Sequence, residues 1–300
     1  MKIKLADNGP EVSRIVLGVM RLLDWNLSPS GLLDLIMGSI ENGISTFDHA
    51  DIYGDHSCEE FFGKAISSAP SLRDKIQIVT KCGIMLVSEK NPGCTIKHYD
   101  TSQRHIIESV ENSLRRLGTD YIDILLIHRP DPLMEIDEIA GAFASLKKSG
   151  KVLHFGVSNF SPSQFRLLSS RIDIPLVTNQ VECSVLHLNP FEDGTLDSCV
   201  INGVLPMAWA PLGGGELFKE ASQRAARVRS ILGAIGRSHG AVPIETIALA
   251  WLIKHPSGII PVIGTGNMER IVNAVKALDL KITKEEWFQI WTASKGGPVP

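Results

Sequence analysis

Nine consecutive residues, Thr46-Phe47-Asp48-His49-Ala50-Asp51-Ile52-Tyr53-Gly54, gather two acids, an imidazole and a phenol. They follow an apolar run that ends abruptly in charge, and they precede a helical pattern beginning near Ser57. That is where a strand stops and a βα loop begins. In a parallel barrel it is also the face that carries chemistry. Taken alone, the same nine residues read equally well as a loop in which Asp48 caps turns and Tyr53 packs.

Other apolar runs end the same way. Lys81 closes Val79-Thr80-Lys81-Cys82-Gly83, and His128 closes Leu125-Leu126-Ile127-His128-Arg129-Pro130. Ser158-Asn159, Gln180 with Glu182, and Trp209-Ala210-Pro211 close three more. Singly, His128 is a satisfied buried histidine, Lys81 a snorkelling lysine and Trp209 a core aromatic. Their shared position argues for more, since four chemical types recur at one kind of turn. A phenol with a pKa near ~10 gives up its proton sluggishly at neutral pH. An ammonium within ~4–6 Å favours phenolate and lowers that pKa toward the range of general acid–base catalysis. A carboxylate such as Asp48 keeps the ammonium charged, and a neutral histidine positions a carbonyl oxygen. Together these groups make a proton donor for a carbonyl being reduced, or an acceptor for an alcohol being oxidised.

The elements that must position them can be followed along the chain. Ile3–Leu5, a turn at Asn8-Gly9-Pro10 and the run from Val12 read as a hairpin. Eight candidate strands follow: Ile15–Leu17, Ile44–Phe47, Ile76–Thr80, Ile122–Ile127, Val152–Val157, Leu176–Val181, Val204–Ala208 and Ile259–Ile263. Between Gln103 and Leu117 apolar residues recur with helical spacing until Gly118, and between Met134 and Ser149 until Gly150. The interval before the last strand holds two helices, Ser222–Ser238 and Pro243–Lys254. A further one, Lys284–Ala293, starts behind Thr283 as N-cap. The alternation favours a (β/α)8 TIM barrel with an N-terminal hairpin and extra C-terminal helices. An open doubly wound sheet is the alternative, but no Gly-x-Gly-x-x-Gly follows the first strand. No low-complexity linker interrupts residues 1–300, so one domain is expected.

Composition narrows the partners. With 300 residues and a net charge of −3, acids and bases intermixed, nothing points to nucleic acid or an anionic membrane. No apolar run reaches the ~18 residues of a membrane span. The N-terminus lacks a signal peptide's apolar core. Five cysteines form neither a disulfide framework nor a zinc cluster. A reduced cytoplasmic protein without a bound metal is expected.

The ordered series of motifs resembles the aldo-keto reductases across essentially the whole chain. It comprises Gly18-Val19-Met20-Arg21, Phe47 to Gly54, Lys81, Leu125 to His128, Gly150-Lys151-Val152 and Phe155 to Phe160. Thr178 to Glu182, Pro211 to Gly215 and Ile260 to Gly266 complete it. The resemblance implies a (β/α)8 barrel that reduces aldehydes or ketones with NADP(H). It implies Asp48, Tyr53, Lys81 and His128 as the catalytic tetrad, with Tyr53 as the acid. Ser158, Asn159 and Gln180 match positions holding the nicotinamide amide, and Trp209 the aromatic stacked on its ring. Gly18, Met20, Asp48, Ala210, Pro211, Leu212, Gly213, Gly214 and Ile263 complete the implied cofactor contacts.

The far end of the cofactor can be argued physically. Gly264-Thr265-Gly266-Asn267 follows a strand and opens an amphipathic helix, a ready anion site. A plain glycine turn is the bland alternative. Arg270 adds the cation a ribose 2′-phosphate requires. The family often has a lysine near Asn267 or Val262; its absence here implies a modest preference for NADPH. Trp25, and Met85 with Leu86 in the long loop Cys82 to Asp100, are expected to wall the substrate pocket. The alternative for all three is simple packing. The short tail after the last helix implies an open site.

Two other functions compete. A redox-silent barrel would bind NADP(H) and act through protein partners. A metal-dependent hydrolase would use Asp48, His49, Asp51 and His128, though such sites usually gather several histidines. The favoured reading is a carbonyl reductase acting on a small carbonyl or alcohol substrate, as a monomer or weak oligomer.

Overall fold

The computed structural model describes residues 1–219 and 222–300. Eight parallel strands close into a barrel in chain order. They are β1 (Val16–Gly18), β2 (Thr46–Asp48), β3 (Gln77–Cys82), β4 (Ile122–Ile127), β5 (Val152–Ser158), β6 (Leu176–Glu182), β7 (Met207–Trp209) and β8 (Ile260–Ile263). β8 closes onto β1 through Val262↔Val16 and Ile263↔Leu17. The described residues also form ten α-helices: α1 (Pro29–Glu41), α2 (Cys58–Ile66), α3 (Gln103–Leu117), α4 (Ile136–Lys148), α5 (Pro162–Ser169), α6 (Thr195–Ile201), α7 (Gln223–Ser238), α8 (Ile244–Ile253), α9 (Met268–Lys276) and α10 (Lys284–Lys295).

The (β/α)8 barrel with its hairpin and extra helices is the expected architecture, and all eight strands occur where anticipated. Their ends move. β2, β3, β5 and β6 run one or two residues further than their apolar runs, because the ladder continues through Asp48, Lys81, Ser158 and Glu182. β7 starts late, at Met207, with Val204 making only an isolated bridge to Ala6. The loop after β3 is not featureless either: Ile84–Met85 pairs antiparallel with His98–Tyr99.

Strand periodicity then puts the polar residues inside. Val16, Val79, Ile124, Leu126, Val177, Met207, Ile260 and Val262 fill the barrel as one apolar cluster. Two residues beyond Val79 comes Lys81, two beyond Leu126 comes His128, and two beyond Met207 comes Trp209. In β6 an irregularity between Leu176 and Asn179 shifts the parity, so Val177 and Gln180 share the interior. Gly156 is required here, because a Cβ would lie 2.7 Å from Leu126 Cδ2 and 2.8 Å from the Thr178 carbonyl oxygen. The opposite end is plugged by the hairpin Lys2–Lys4/Glu11–Ser13, whose Val12, with Leu5, joins the interior cluster.

Outside, α7 and α10 pack on each other beyond the ring. α10 is held by Thr283, which caps it with Glu286 in a reciprocal box. Trp251 and Trp287 stack at 4.8 Å and each donates its indole N–H to the other's carbonyl. Among the described residues no helix is long and apolar enough to cross a membrane.

Candidate active site

Lys81 sits at the centre of the polar end, 1% exposed. Its ammonium donates to Asp48 Oδ2 at 2.7 Å, the His49 carbonyl at 2.8 Å and the Tyr53 hydroxyl at 3.1 Å. All three donor positions are thereby used, so the ammonium has one orientation. Asp48, 3% exposed, accepts from Gln180 Nε2 at 2.8 Å through its other oxygen. The pair is desolvated on both sides, which is tolerable only because every charge has partners.

Burial alone would lower the Lys81 pKa, but Asp48 and Tyr53 outweigh it and hold the ammonium charged beyond the ordinary range. For Tyr53 the balance differs from the expectation of a lowered phenol. Desolvation raises its pKa and exceeds the opposing pull of Lys81. Tyr53 is therefore a firmly protonated acid in the free protein. His128 stands edge-on to it with ring centroids 6.0 Å apart. Burial, then Lys81, Arg129 and Lys97, drives the His128 pKa well below its usual value, so the imidazole is neutral.

The residues expected around a nicotinamide form one hydrogen-bonded wall. The Ser158 hydroxyl donates to the Gln180 carbonyl at 2.8 Å. Asn159 Nδ2 donates to Ser158 Oγ at 2.8 Å and to the His128 carbonyl at 3.3 Å. Asn159 Oδ1 accepts from the Trp209 indole at 2.9 Å. Asn159 and Ala210 both have left-handed backbone, φ +62 and +48. Asparagine tolerates this conformation and alanine resists it, so local strain collects beside the site. Across the barrel mouth, Gly213, Gly214 and Gly215 all take positive φ, and Arg21 donates to the Gly214 carbonyl at 3.2 Å. The loops after β1 and β7 thus meet.

At the β8 end Asn267 caps α9, its side chain accepting from Arg270 N at 3.1 Å. The N–H groups of Met268 and Glu269 remain unspent among the described residues. The Arg270 side chain is exposed and meets no protein acceptor there. Trp25 lies here rather than in the company of Met85: a Cβ on Gly266 would come within 2.6 Å of the Trp25 ring. Met85 and Leu86 are half-buried at the antiparallel pair after β3. Trp25 is thus brought to the β8 turn and Met85 to the loop after β3.

The hydrolase ligands do not converge. Asp48 and His128 face inward, whereas His49 is packed edge-on against Phe62 of α2 with centroids 4.5 Å apart. Asp51 faces α3, where its Oδ2 accepts from Ser109 at 2.7 Å. Among the described residues no three His, Cys, Asp or Glu side chains gather as a metal site would need.

A sequence model of the aldo/keto reductase family matches residues 14–295. The chain belongs to that family. It is 48% identical over 299 residues to the uncharacterized oxidoreductase YcsN of Bacillus subtilis, covering 100% of this chain and 99% of that protein. The oxidoreductase YdhF of Escherichia coli gives the same identity and coverage. A 6-dehydroglucose reductase of Agrobacterium fabrum is 45% identical, with 99% of each chain covered. Among solved structures, the thermostable aldo-keto reductase Tm1743 with the inhibitor epalrestat aligns at a TM-score of 0.80 and 28% identity. That alignment covers 98% of this chain and 99% of Tm1743. Family membership and these relatives make the chain an oxidoreductase of a family that binds a nicotinamide cofactor and acts on small carbonyl compounds.

One buried group near the tetrad was legible only as a hydrolase ligand. Asp51, 5% exposed, has its pKa raised from 3.8 to about 7, by burial first, with Glu59 adding to it and Ser109 and Arg116 opposing. The folded protein keeps this proton to higher pH than the unfolded chain, so stability falls as pH rises from about 4 through about 7. The two pKa values correspond to about 4 kcal/mol. Asp51→Asn keeps an acceptor for Ser109 and abolishes the ionisation. Chemical denaturation at pH 5 and pH 8 is expected to find the variant gaining on the wild type at the higher pH, by up to about 2–3 kcal/mol, since part of the effect is already lost at pH 5. Parallel pH dependences would contradict the assignment.

Proposed function

We propose that the protein reduces aldehydes or ketones to alcohols with NADPH, Tyr53 supplying the proton. The observation that carries this reading is the single ammonium of Lys81 joining Asp48 to the Tyr53 hydroxyl inside the barrel mouth, beside a neutral His128. Bound NADPH supplies the hydride. The residues present suit such a cofactor: a wall of Ser158, Asn159, Gln180 and Trp209 for the nicotinamide, glycines 213–215 for close backbone approach, and the α9 terminus for phosphate. Gly18 packs tightly against β8 beside Asp48, where a Cβ would lie 3.0 Å from Val262 and 3.9 Å from Asp48 Oδ2. The contact of Arg21 with Gly214 ties the loops over the groove between these ends.

Each side chain then has one task. His128 donates to the carbonyl oxygen and fixes its direction. Tyr53 transfers its proton to that oxygen as negative charge builds there. Lys81 stabilises the phenolate left behind, and Asp48 keeps Lys81 in place. In the direction of alcohol oxidation the same phenolate is the base. A carbonyl panel that includes 6-dehydroglucose, assayed with NADPH and with NADH, tests the reading. Absence of turnover with both cofactors would favour the redox-silent barrel instead.

NADPH is expected to bind better than NADH because of Arg270. Backbone donors at the α9 terminus serve any phosphate and cannot select the dinucleotide with an extra one. A side-chain cation can. A charged hydrogen bond contributes ~1.5–3 kcal/mol, roughly a ten- to hundredfold preference. Glu269 in the same turn opposes an anion, so the preference should lie at the modest end. Arg270→Met should weaken NADPH by that factor and leave NADH nearly unchanged in fluorescence titration. Equal weakening of both would assign Arg270 to the helix instead of the phosphate.

A further inference from the structure

Six arginines are buried or half-buried among the described residues, and five of them donate to protein acceptors. Arg14 reaches the Ile259 carbonyl, Arg73 the Asp123 carboxylate, Arg116 Glu59, Arg224 Ser294 and Arg229 the Leu217 carbonyl. The sixth is Arg129. It makes no hydrogen bond and no ion pair within the described chain, although it directly follows His128 at the end of β4. Its guanidinium lies 5.4 Å from the centroid of the Trp209 ring. That ring is itself fixed, through its indole N–H, to Asn159, which is tied back to the His128 carbonyl.

The placement puts an unspent planar fork on the wall of the catalytic pocket. Arg129 follows His128 in the chain and lies over Trp209, whose indole N–H is held by Asn159, itself bonded to the His128 carbonyl. The surroundings are cationic. Lys81 is already neutralised by Asp48, while Lys97 on the loop after β3 adds a second unbalanced positive charge toward His128. No Arg129 nitrogen is both buried and unpartnered, so the guanidinium is reached by solvent and open to an incoming anion. The guanidinium fork matches two coplanar oxygens better than any other side chain does.

We propose that Arg129 is a substrate-specificity residue whose guanidinium takes a carboxylate on the carbonyl compound, so that the preferred substrates are oxo acids. A hydroxyl or an amide also accepts from a guanidinium but does not neutralise it; charge is what the site lacks. The kinetic consequence rests on the reductase reading above, whereas the binding consequence does not.

The test compares 4-formylbenzoate with 4-formylbenzamide, nearly identical in shape and differing in charge. In the protein loaded with NADP+, which has no hydride to give, titration followed by tryptophan fluorescence or calorimetry is expected to favour the acid about ten- to hundredfold. The ratio of kcat/KM values should favour the acid by a similar factor. Arg129→Met should bring both ratios to about 1, and Arg129→Lys should restore part of the preference. NADPH affinity, measured in the same variants, separates a substrate contact from a cofactor contact. Equal binding of acid and amide by the wild type overturns the proposal and leaves the reductase reading standing. So does a loss of NADPH affinity in Arg129→Met as large as the loss for the acid. Selective binding of the acid without any turnover supports the Arg129 assignment and instead overturns the reductase reading.

Discussion

Tyr53→Phe is expected to lower kcat for carbonyl reduction by ~10²-fold or more while leaving NADPH affinity nearly intact. The substitution deletes one hydroxyl and keeps the ring that faces His128. Lys81 loses one of three acceptors and retains Asp48 and the His49 carbonyl, so the charged pair stays in register. What disappears is the proton source. The phenol is held above its ordinary pKa by burial, with Lys81 opposing. Reduction needs the protonated form, so its rate should stay level through neutral pH and fall only as the phenol ionises. Alcohol oxidation needs the phenolate and should rise over that same alkaline range. Single-turnover measurement is the decisive form, because slow product release can mask a chemical step. Wild-type rates in Tyr53→Phe under single-turnover conditions would remove Tyr53 from the mechanism.

The inward members of the site were readable because strand periodicity extends past the apolar run. Val79 announces Lys81, and Leu126 announces His128, two residues on. Strand ends were not readable, since Asp48 and Ser158 pair in the ladder although they break the hydrophobic pattern. The sign of the Tyr53 shift also lay beyond the sequence: a motif reveals that lysine is near, but not how much water has been excluded. Outward-facing residues were harder still. The role of Asp51 depends on Ser109, 58 positions away on α3, and no local spacing connects them. Trp25 meets Gly266 because β1 and β8 are neighbours only once the barrel closes. Arg129 was visible beside His128, but a missing partner cannot be seen without the fold.

Lys81→Met should fail in two separable ways, and a second substitution should repair only one. Methionine approximates the length of the buried stem but offers no donor, leaving Asp48 with Gln180 alone inside the barrel. Removing one member of a buried ion pair typically costs about 3–5 kcal/mol, most of it from the stranded charge. The same change deprives the Tyr53 phenolate of its stabilising ammonium, so kcat should fall together with stability. Adding Asp48→Asn removes the stranded carboxylate and leaves a neutral amide for Gln180 to meet. The double variant is expected to recover most of the lost unfolding free energy without recovering the rate. Denaturant unfolding of the four proteins in the cycle, beside their kcat values, makes the comparison. NADPH binding should be little changed in the refolded double variant, because the phosphate groups are assigned to the α9 terminus and Arg270. Recovery of rate along with stability would make Lys81 a structural residue whose catalytic effect was only misfolding. A double variant no more stable than Lys81→Met alone would mean that the ammonium's contact with the His49 carbonyl, rather than the ion pair, holds the β2 loop.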